Sequence, residues 1–433
     1  MDFIQAICHT NGTIYIVGGA VRNMIYNIIH KTNIQIKDID ILVCNIEHDI
    51  LINILKKYGT VKDVGISFGV ILFHSKSMNM EFEIALPRSE KSIGSGYRDF
   101  EIIVDQDMTI QQDFSRRDAT INSIGYEIKS VPDINNFIYL TSLDELKFVD
   151  PYNGINDIKN KIWKAVGNPH ERFTEDPTRI MRAFRQSVEL SLNIDDATMK
   201  GIRDNYILMK ELIPKSYVRL YNELFRLMSF DNCNRALNIM NELGILRFLD
   251  INCDNIPFFK NKAIIIRLAC LLRPELNNDD IKKWTNYHQI SATNYISPDQ
   301  VKILCAIQLF WNDFINIKNR YDMCKLVQNV YCRYQNLNYM IIFEMINYLN
   351  ELNYDINLIK FYEQLLDETK LYPSSIDHIK LNGNEIMKLM NINGKQIKSV
   401  KEHIINKIYM NELQNDNDQL KSYIDNNKSF ILI

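Results

Sequence analysis

No two of the eight cysteines (Cys8, Cys44, Cys233, Cys253, Cys270, Cys305, Cys324 and Cys332) stand at Cys-x-x-Cys spacing. The spacing suggests neither a zinc ribbon nor a disulfide framework, and reduced, buried thiols in a cytoplasmic protein are expected. No apolar stretch reaches 18 residues, so no membrane-spanning segment is expected. The start, Met1-Asp2-Phe3-Ile4-Gln5, has neither a basic region nor a long apolar run, which argues against a signal peptide. The net charge of −3 lacks the overall basic balance of many nucleic-acid binders, yet binding requires only a local basic stripe. No internal repeat points to a solenoid. What is present, 433 residues with 46% hydrophobic and 24% charged side chains, describes a globular protein with length for several domains.

The chain is organised around Lys37-Asp38-Ile39-Asp40-Ile41-Leu42-Val43, an apolar run carrying two carboxylates at i, i+2. As a strand over 37–44, it places Asp38 and Asp40 on one face and turns Ile39 and Ile41 into the core. Neighbouring carboxylates repel each other unless a cation lies between them, and oxygen-only ligands suit Mg²⁺. Just upstream, Ile14-Tyr15-Ile16-Val17-Gly18-Gly19-Ala20-Val21-Arg22-Asn23 reads as a strand, a Gly-Gly turn and a helix start. Backbone N–H groups at such a turn approach a phosphate, and Arg22 favours its charge. A phosphate cradle followed by a paired-carboxylate metal site is the minimum equipment for nucleotidyl transfer.

Residues 20–30 and 47–58 read as helices, and 67–74 with 80–86 as a β-pair. Glu83 on the second of these strands either completes the metal site or is a solvent-facing charge. Residues 89–108, with Ser92, Gly94, Ser95 and Gly96, read as a mobile loop. Arg116, Arg117, Asp118 and Asn122 form a charged block. By themselves they describe a solvated helix start; beside a triphosphate they offer phosphate donors and a ribose acceptor. Pro177 marks a helix start, with Asp176, Arg179, Arg182 and Arg185 stepping by three. From about 190 onward the pattern is helical, over 215–229, 232–248, 261–274, 298–316, 336–352, 356–370, 384–391 and 395–412. Lys215, Arg219, Lys380, Lys388, Lys395, Lys398, Lys401 and Lys407 are candidate phosphate contacts there.

Four blocks stand in one order: Gly18-Gly19-Ala20-Val21-Arg22, Asp38-Ile39-Asp40, Arg116-Arg117-Asp118-Ala119-Thr120-Ile121-Asn122 and Glu175-Asp176-Pro177-Thr178-Arg179. Together with Asp150-Pro151-Tyr152-Asn153-Gly154 they resemble the class II tRNA nucleotidyltransferase (CCA-adding enzyme) and bacterial poly(A) polymerase family of the polymerase β superfamily. The resemblance is specific over 14–190 and thinner beyond, where Leu381-Asn382-Gly383-Asn384-Glu385 is similar to the tail of bacterial CCA-adding enzymes. Asn23 stands where that family usually has Asp, and Ala119 where it usually has Phe. Arg267-Leu268-Ala269-Cys270-Leu271-Leu272-Arg273 lacks the His-Asp pair of relatives with phosphohydrolase activity.

The resemblance implies an α+β nucleotidyltransferase head (mixed sheet with helices) over 1–130, followed by an all-α neck (131–190), body (191–370) and tail (371–433). It implies that C, C and A are added to tRNA from CTP and ATP, with a poly(A) polymerase or a partial CC- or A-adding enzyme as alternatives. In this reading Asp38 and Asp40 hold two Mg²⁺, with Glu83 a possible third ligand. Gly18, Gly19, Arg22, Arg182 and Arg185 take the triphosphate, with Arg116 and Asn122 in the same nucleotide site. Arg117 and Asp118 take the ribose. Asp176 and Arg179 read the base, because a carboxylate beside a guanidinium matches the amine and ring nitrogen shared by cytosine and adenine.

Overall fold

Val17 ends the first strand where Gly18 takes up φ +74, and that turn fixes the layout of the sheet around it. The computed structural model describes all residues except 37, 64–69, 93–99, 106–107, 144–146, 254–255, 257–258, 260–262, 273–289, 291–292, 294, 353 and 432–433. The chain forms two compact units, Met1–Leu249 and Asp250–Ile433.

In the first unit, helix α1 (Phe3–Cys8) precedes β1 (Thr13–Val17), α2 (Gly19–His30), β2 (Asp40–Cys44) and α3 (His48–Tyr58). Strands β3 (Gly59–Asp63), β4 (Val70–Ser75) and β5 (Met80–Ala85) follow. With β8 (Gly125–Ile128) and β9 (Phe148–Val149) they make a seven-stranded mixed sheet in the order β3-β4-β5-β2-β1-β8-β9. Only β2 and β5 pair in parallel; the other neighbours are antiparallel.

One face of this sheet carries Ile14, Ile16, Ile41, Val43, Phe73, Phe82 and Ile84, all buried. Phe3 of α1 closes on them, 5.0 Å from Phe73 and 5.9 Å from Phe82 between ring centroids. On the other face Val17, Leu42 and Cys44 pack with Phe114 of α4 (Ile110–Ser115), flanked by Ile110 and Tyr152. Burial on both faces explains why β2 reads as an unbroken apolar run.

Two expectations for residues 37–108 require correction. The strand expected over 37–44 starts only at Asp40, which pairs with Val17, the last residue of β1. Gly18 leads the chain out of the sheet, so nothing on that side remains for residues 38 and 39 to pair with. Asp38 is therefore exposed outside the strand, while Ile39 is buried. The loop expected over 89–108 is instead bounded by the antiparallel pair β6 (Arg88–Ser92) and β7 (Phe100–Val104). Its apolar residues Ile102, Ile103 and Val104 suit a strand; Gly94, Ser95 and Gly96 lie outside the described residues.

After β9 the unit is mainly helical. Helices α5 (Val131–Ile138), α6 (Gly154–Lys159) and α7 (Pro169–Glu175) lead to α8 (Thr178–Glu189), which packs on the long helix α10 (Met209–Met228) after α9 (Asp196–Asn205). A short parallel pair, Ile162–Trp163 with Asn193–Ile194, ties the start and end of this segment together. The helix expected over 232–248 is two helices, Cys233–Glu242 and Ile245–Phe248, broken at Gly244 with φ +79.

The second unit is described as helices. Those over Pro298–Ile315, Asn338–Glu351, Ile356–Thr369, Gly383–Met390 and Gly394–Tyr409 were expected from the periodicity. Arg320–Tyr334 and Asn417–Ile431 were not singled out. The eight cysteines form no disulfide, and six of them are buried. Among the described residues no helix is long and apolar enough to cross a membrane.

Candidate active site

A single lateral row of residues crosses the sheet, from Gly125 through Val17 and Asp40 to Glu83 and Leu72. Because β2 and β5 run parallel with Asp40 beside Glu83, their side chains leave the same face of neighbouring strands. Burial pushes the Asp40 carboxyl above its ordinary value, and Glu83 and Asp38 push it further, while Arg117 opposes them. That is the repulsion a cation between carboxylates relieves. Among the described residues no three His, Cys, Asp or Glu side chains are already gathered as a metal cage. The donor set nevertheless fits Mg²⁺, which commonly binds one or two carboxylates and keeps waters or phosphate oxygens as its other ligands.

Gly18 lies directly against Asp40. A Cβ there would come within 3.2 Å of Asp40 Oδ2 and 3.7 Å of an Arg117 Nη. With φ +74 and ψ −138 it also occupies backbone space that other residues rarely enter. Gly18→Ala should therefore lower stability by about 1–3 kcal/mol. Thermal unfolding tests this, and an unchanged Tm would show that the turn relaxes around the methyl group.

Arg117 is fixed from three sides. It lies 4.6 Å over the Phe114 ring, donates to the Asn122 carbonyl at 3.0 Å and reaches Asp113 Oδ2 at 3.3 Å. Arg116 takes the other oxygen of Asp113 at 2.6 Å. Asp113 is fully buried and pairs with both arginines, a role that sequence reasoning did not give it. The signal was present: an acid three and four residues before two arginines faces both across one helical turn.

The next layer begins at Arg22, which is 6% exposed. Its Nε and Nη2 donate to Asn23 Oδ1 at 3.0 and 2.9 Å, and its Nη1 donates to Asn122 Oδ1 at 2.7 Å. These partners are neutral amides, and burial pulls the guanidinium down to about 10. Asn122 in turn donates to Asp118 Oδ1 at 2.7 Å, and Arg182 Nε to Asp118 Oδ2 at 2.7 Å. Burial pushes the Asp118 carboxyl up, but Arg182 and the Asn122 hydrogen bond outweigh it and hold the group well below the usual carboxylate range.

Arg185, expected at the triphosphate, is buried and paired elsewhere. It pairs with Glu189 and with Glu223 of α10, at 2.7 Å from the latter, while Glu189 also takes Arg226 at 2.7 Å. The side chains of Asp176 and Arg179 make no hydrogen bond to each other, although the Arg179 N–H donates to the Asp176 carbonyl at 3.0 Å. Asp176 Oδ1 accepts from the N–H and hydroxyl of Thr178, the first residue of α8, and Oδ2 accepts from Arg219 at 3.2 Å. Arg179 pairs with Glu175 at 3.0 Å and donates to the carbonyls of Arg172 at 3.3 Å and Arg116 at 2.8 Å. Arg172 binds Glu175 at 2.6 Å and the Ser115 carbonyl at 3.0 Å.

Residues 14–164 match the family model described as the Poly A polymerase head domain. A CCA-adding enzyme of Francisella tularensis subsp. novicida (strain U112) is 32% identical over 295 residues, 63% of this chain and 70% of that protein. One of Lactobacillus helveticus (strain DPC 4571) is 27% identical over 273 residues, 62% of this chain and 57% of the relative. The chain thus spans less than two thirds of the Lactobacillus relative, and the same holds for one of Geobacillus sp. (strain WCH70), at 60%. Among solved structures, the Bacillus stearothermophilus CCA-adding enzyme in complex with CTP superposes with a TM-score of 0.62 at 18% identity, covering 98% of this chain and 95% of that one. The Thermotoga maritima CCA-adding enzyme complexed with tRNA_CCA gives 0.63 at 17% identity, covering 98% and 93%. At these identities the structural likeness concerns the fold.

Proposed function

This chain belongs to the CCA-adding enzyme family, and we propose that it adds C, C and A to the 3′ end of tRNA from CTP and ATP without a nucleic-acid template. The observation that carries the reading is the register pair Asp40–Glu83, with the Gly18 turn lying against Asp40. Solved relatives bound to CTP, to ATP and to tRNA_CCA support the choice of substrates.

In this reading the α2 N-terminus, Gly18, Gly19 and Arg22 bind the triphosphate. Arg22 is suited to that work because its bonded partners are amides and leave its charge for an anion. Asp118, held ionised by Arg182, accepts a ribose hydroxyl beside Arg117. Asp176 and Arg179 face the base; among the described residues Arg179 keeps its Nε–H and one Nη2–H without a protein partner. Arg185 holds α8 on α10 and is not assigned to phosphate. Asp40 and Glu83, with Asp38, would hold Mg²⁺, which when bound lowers the pKa of the RNA 3′-hydroxyl and offsets charge on the phosphates. The 3′-oxygen attacks the α-phosphorus in line and pyrophosphate leaves. Residues 131–190 act as the neck and 191–433 bind tRNA. A cytoplasmic location goes with that substrate and with eight cysteines that form no disulfide.

The test is incubation with tRNA lacking its CCA end and each labelled nucleotide, alone and in pairs, with Mg²⁺. CTP alone should give two additions, and ATP should then give one more. EDTA should abolish both. A long tail from ATP alone would instead favour a poly(A) polymerase, consistent with the head-domain match. No incorporation from any nucleotide would overturn the reading.

A further inference from the structure

Two fully buried groups without a part in the chemistry above lie behind the nucleotide residues. The Trp163 side chain is completely covered, and Gln186 on α8 is 1% exposed. Trp163 Nε1 donates to Gln186 Oε1 at 2.8 Å, and Asn122 Nδ2 donates to the same oxygen at 3.0 Å. That Asn122 nitrogen also reaches Asp118 Oδ1 at 2.7 Å, while Asn122 Oδ1 accepts from Arg22 Nη1 at 2.7 Å.

Each link has a compulsory direction. Indole and guanidinium N–H groups only donate, and a carboxylate only accepts. The Asn122 amide therefore has to present oxygen to Arg22 and nitrogen to Asp118. That nitrogen and the indole N–H both need an acceptor, so Gln186 has to present its oxygen to them. Reversing either amide sets donor against donor or acceptor against acceptor in a site closed to water. Asn122, expected among the nucleotide contacts, has both ends of its amide bonded within the protein and is 7% exposed.

We propose that Trp163, Gln186 and Asn122 form a neutral relay that fixes the spacing between Arg22 and Asp118, with Gln186 as a positioning residue for nucleotide binding. The proposal rests on the nucleotidyltransfer reading, in which Arg22 takes the triphosphate and Asp118 the ribose. Those two moieties are common to CTP and ATP, so the relay acts on both nucleotides alike, unlike the base-reading residues. It also couples an intrinsic fluorophore to the site, because a ligand that engages Arg22 and Asp118 loads the hydrogen bond at the Trp163 indole.

Two substitutions separate positioning from packing. Gln186→Met keeps the side-chain length and removes the acceptor, whereas Gln186→Glu keeps an acceptor oxygen. Gln186→Met should raise KM for CTP and for ATP by about tenfold, the equivalent of one lost buried hydrogen bond, with kcat within about threefold. Gln186→Glu should stay within about threefold of the unaltered protein in KM, because its acceptor remains. In a Trp284→Phe, Trp311→Phe background, CTP or ATP added without tRNA should change Trp163 emission saturably, and Gln186→Met should abolish the change.

An unaltered KM in Gln186→Met, a rise for one nucleotide only, or equal impairment of the Met and Glu variants would overturn the proposal. Should Gln186→Met fail to fold, the emission titration of the two-Phe protein decides. Silent Trp163 emission while equilibrium dialysis records nucleotide binding refutes the relay alone. Absence of nucleotide binding by dialysis in the unaltered protein refutes the functional reading with it.

Discussion

Asp40→Asn should slow incorporation of both CTP and ATP by at least about a thousandfold, close to 4 kcal/mol in the barrier. The change is nearly isosteric, so the strand and its apolar neighbours Ile41 and Val43 have no reason to move. What disappears is one of two carboxylates held side by side by the parallel register of Asp40 and Glu83. Arg117 then faces a neutral amide, and the charge that would attract a divalent cation falls by one. Single-turnover incorporation is the appropriate measurement, with CTP on tRNA lacking CCA and ATP on tRNA ending in CC. Retention of tRNA binding in a gel-shift assay completes the expected result. A mutant within tenfold of the unaltered protein on both substrates would remove the carboxylate pair from the chemistry.

Arg179→Ala should be the next most damaging change, and its signature is lost selectivity. Truncation removes the bond to Glu175 and the bonds to the carbonyls of Arg172 and Arg116, as well as the N–H groups available to a base. Asp176 keeps Arg219 and, in the proposed reading, remains an acceptor for the base. A site that accepts but no longer donates loses its preference for rings offering a nitrogen acceptor. Correct incorporation should fall by about a hundredfold, or roughly 3 kcal/mol, while UTP and GTP fall less. Steady-state incorporation of all four nucleotides would test this. An equal loss with all four would identify Arg179 as an anchor of α8 on the head, with base reading elsewhere.

Much of this site was legible in the sequence because its parts obey local rules. Strand–Gly-Gly–helix and the Pro177 helix start each follow from backbone preferences within a few residues. Glu175 and Arg179, four apart, meet as helical spacing requires. Asp38 was misjudged because alternation assumes a strand continues, whereas pairing depends on a neighbour 20 residues upstream that has already turned away. Ile102, Ile103 and Val104 were read as loop because the glycines before them dominated the local signal. Arg185 was misplaced for a similar reason. Helical spacing aligned it with Arg182, but its partner Glu223 arrives from a helix 38 positions later. The Trp163–Gln186–Asn122 chain joins three separate elements, and no local pattern announces it.

The two guanidinium contacts to the carbonyls of Ser115 and Arg116 bear on how the protein can vary. An acceptor supplied by the main chain is the same whichever amino acid is encoded there. Drift at codon 115 can alter the Ser115 side chain without touching the joint between residues 115–116 and residues 172–179. Natural variation should therefore accumulate at position 115, and purifying selection should fall on the two arginine codons that reach across the joint.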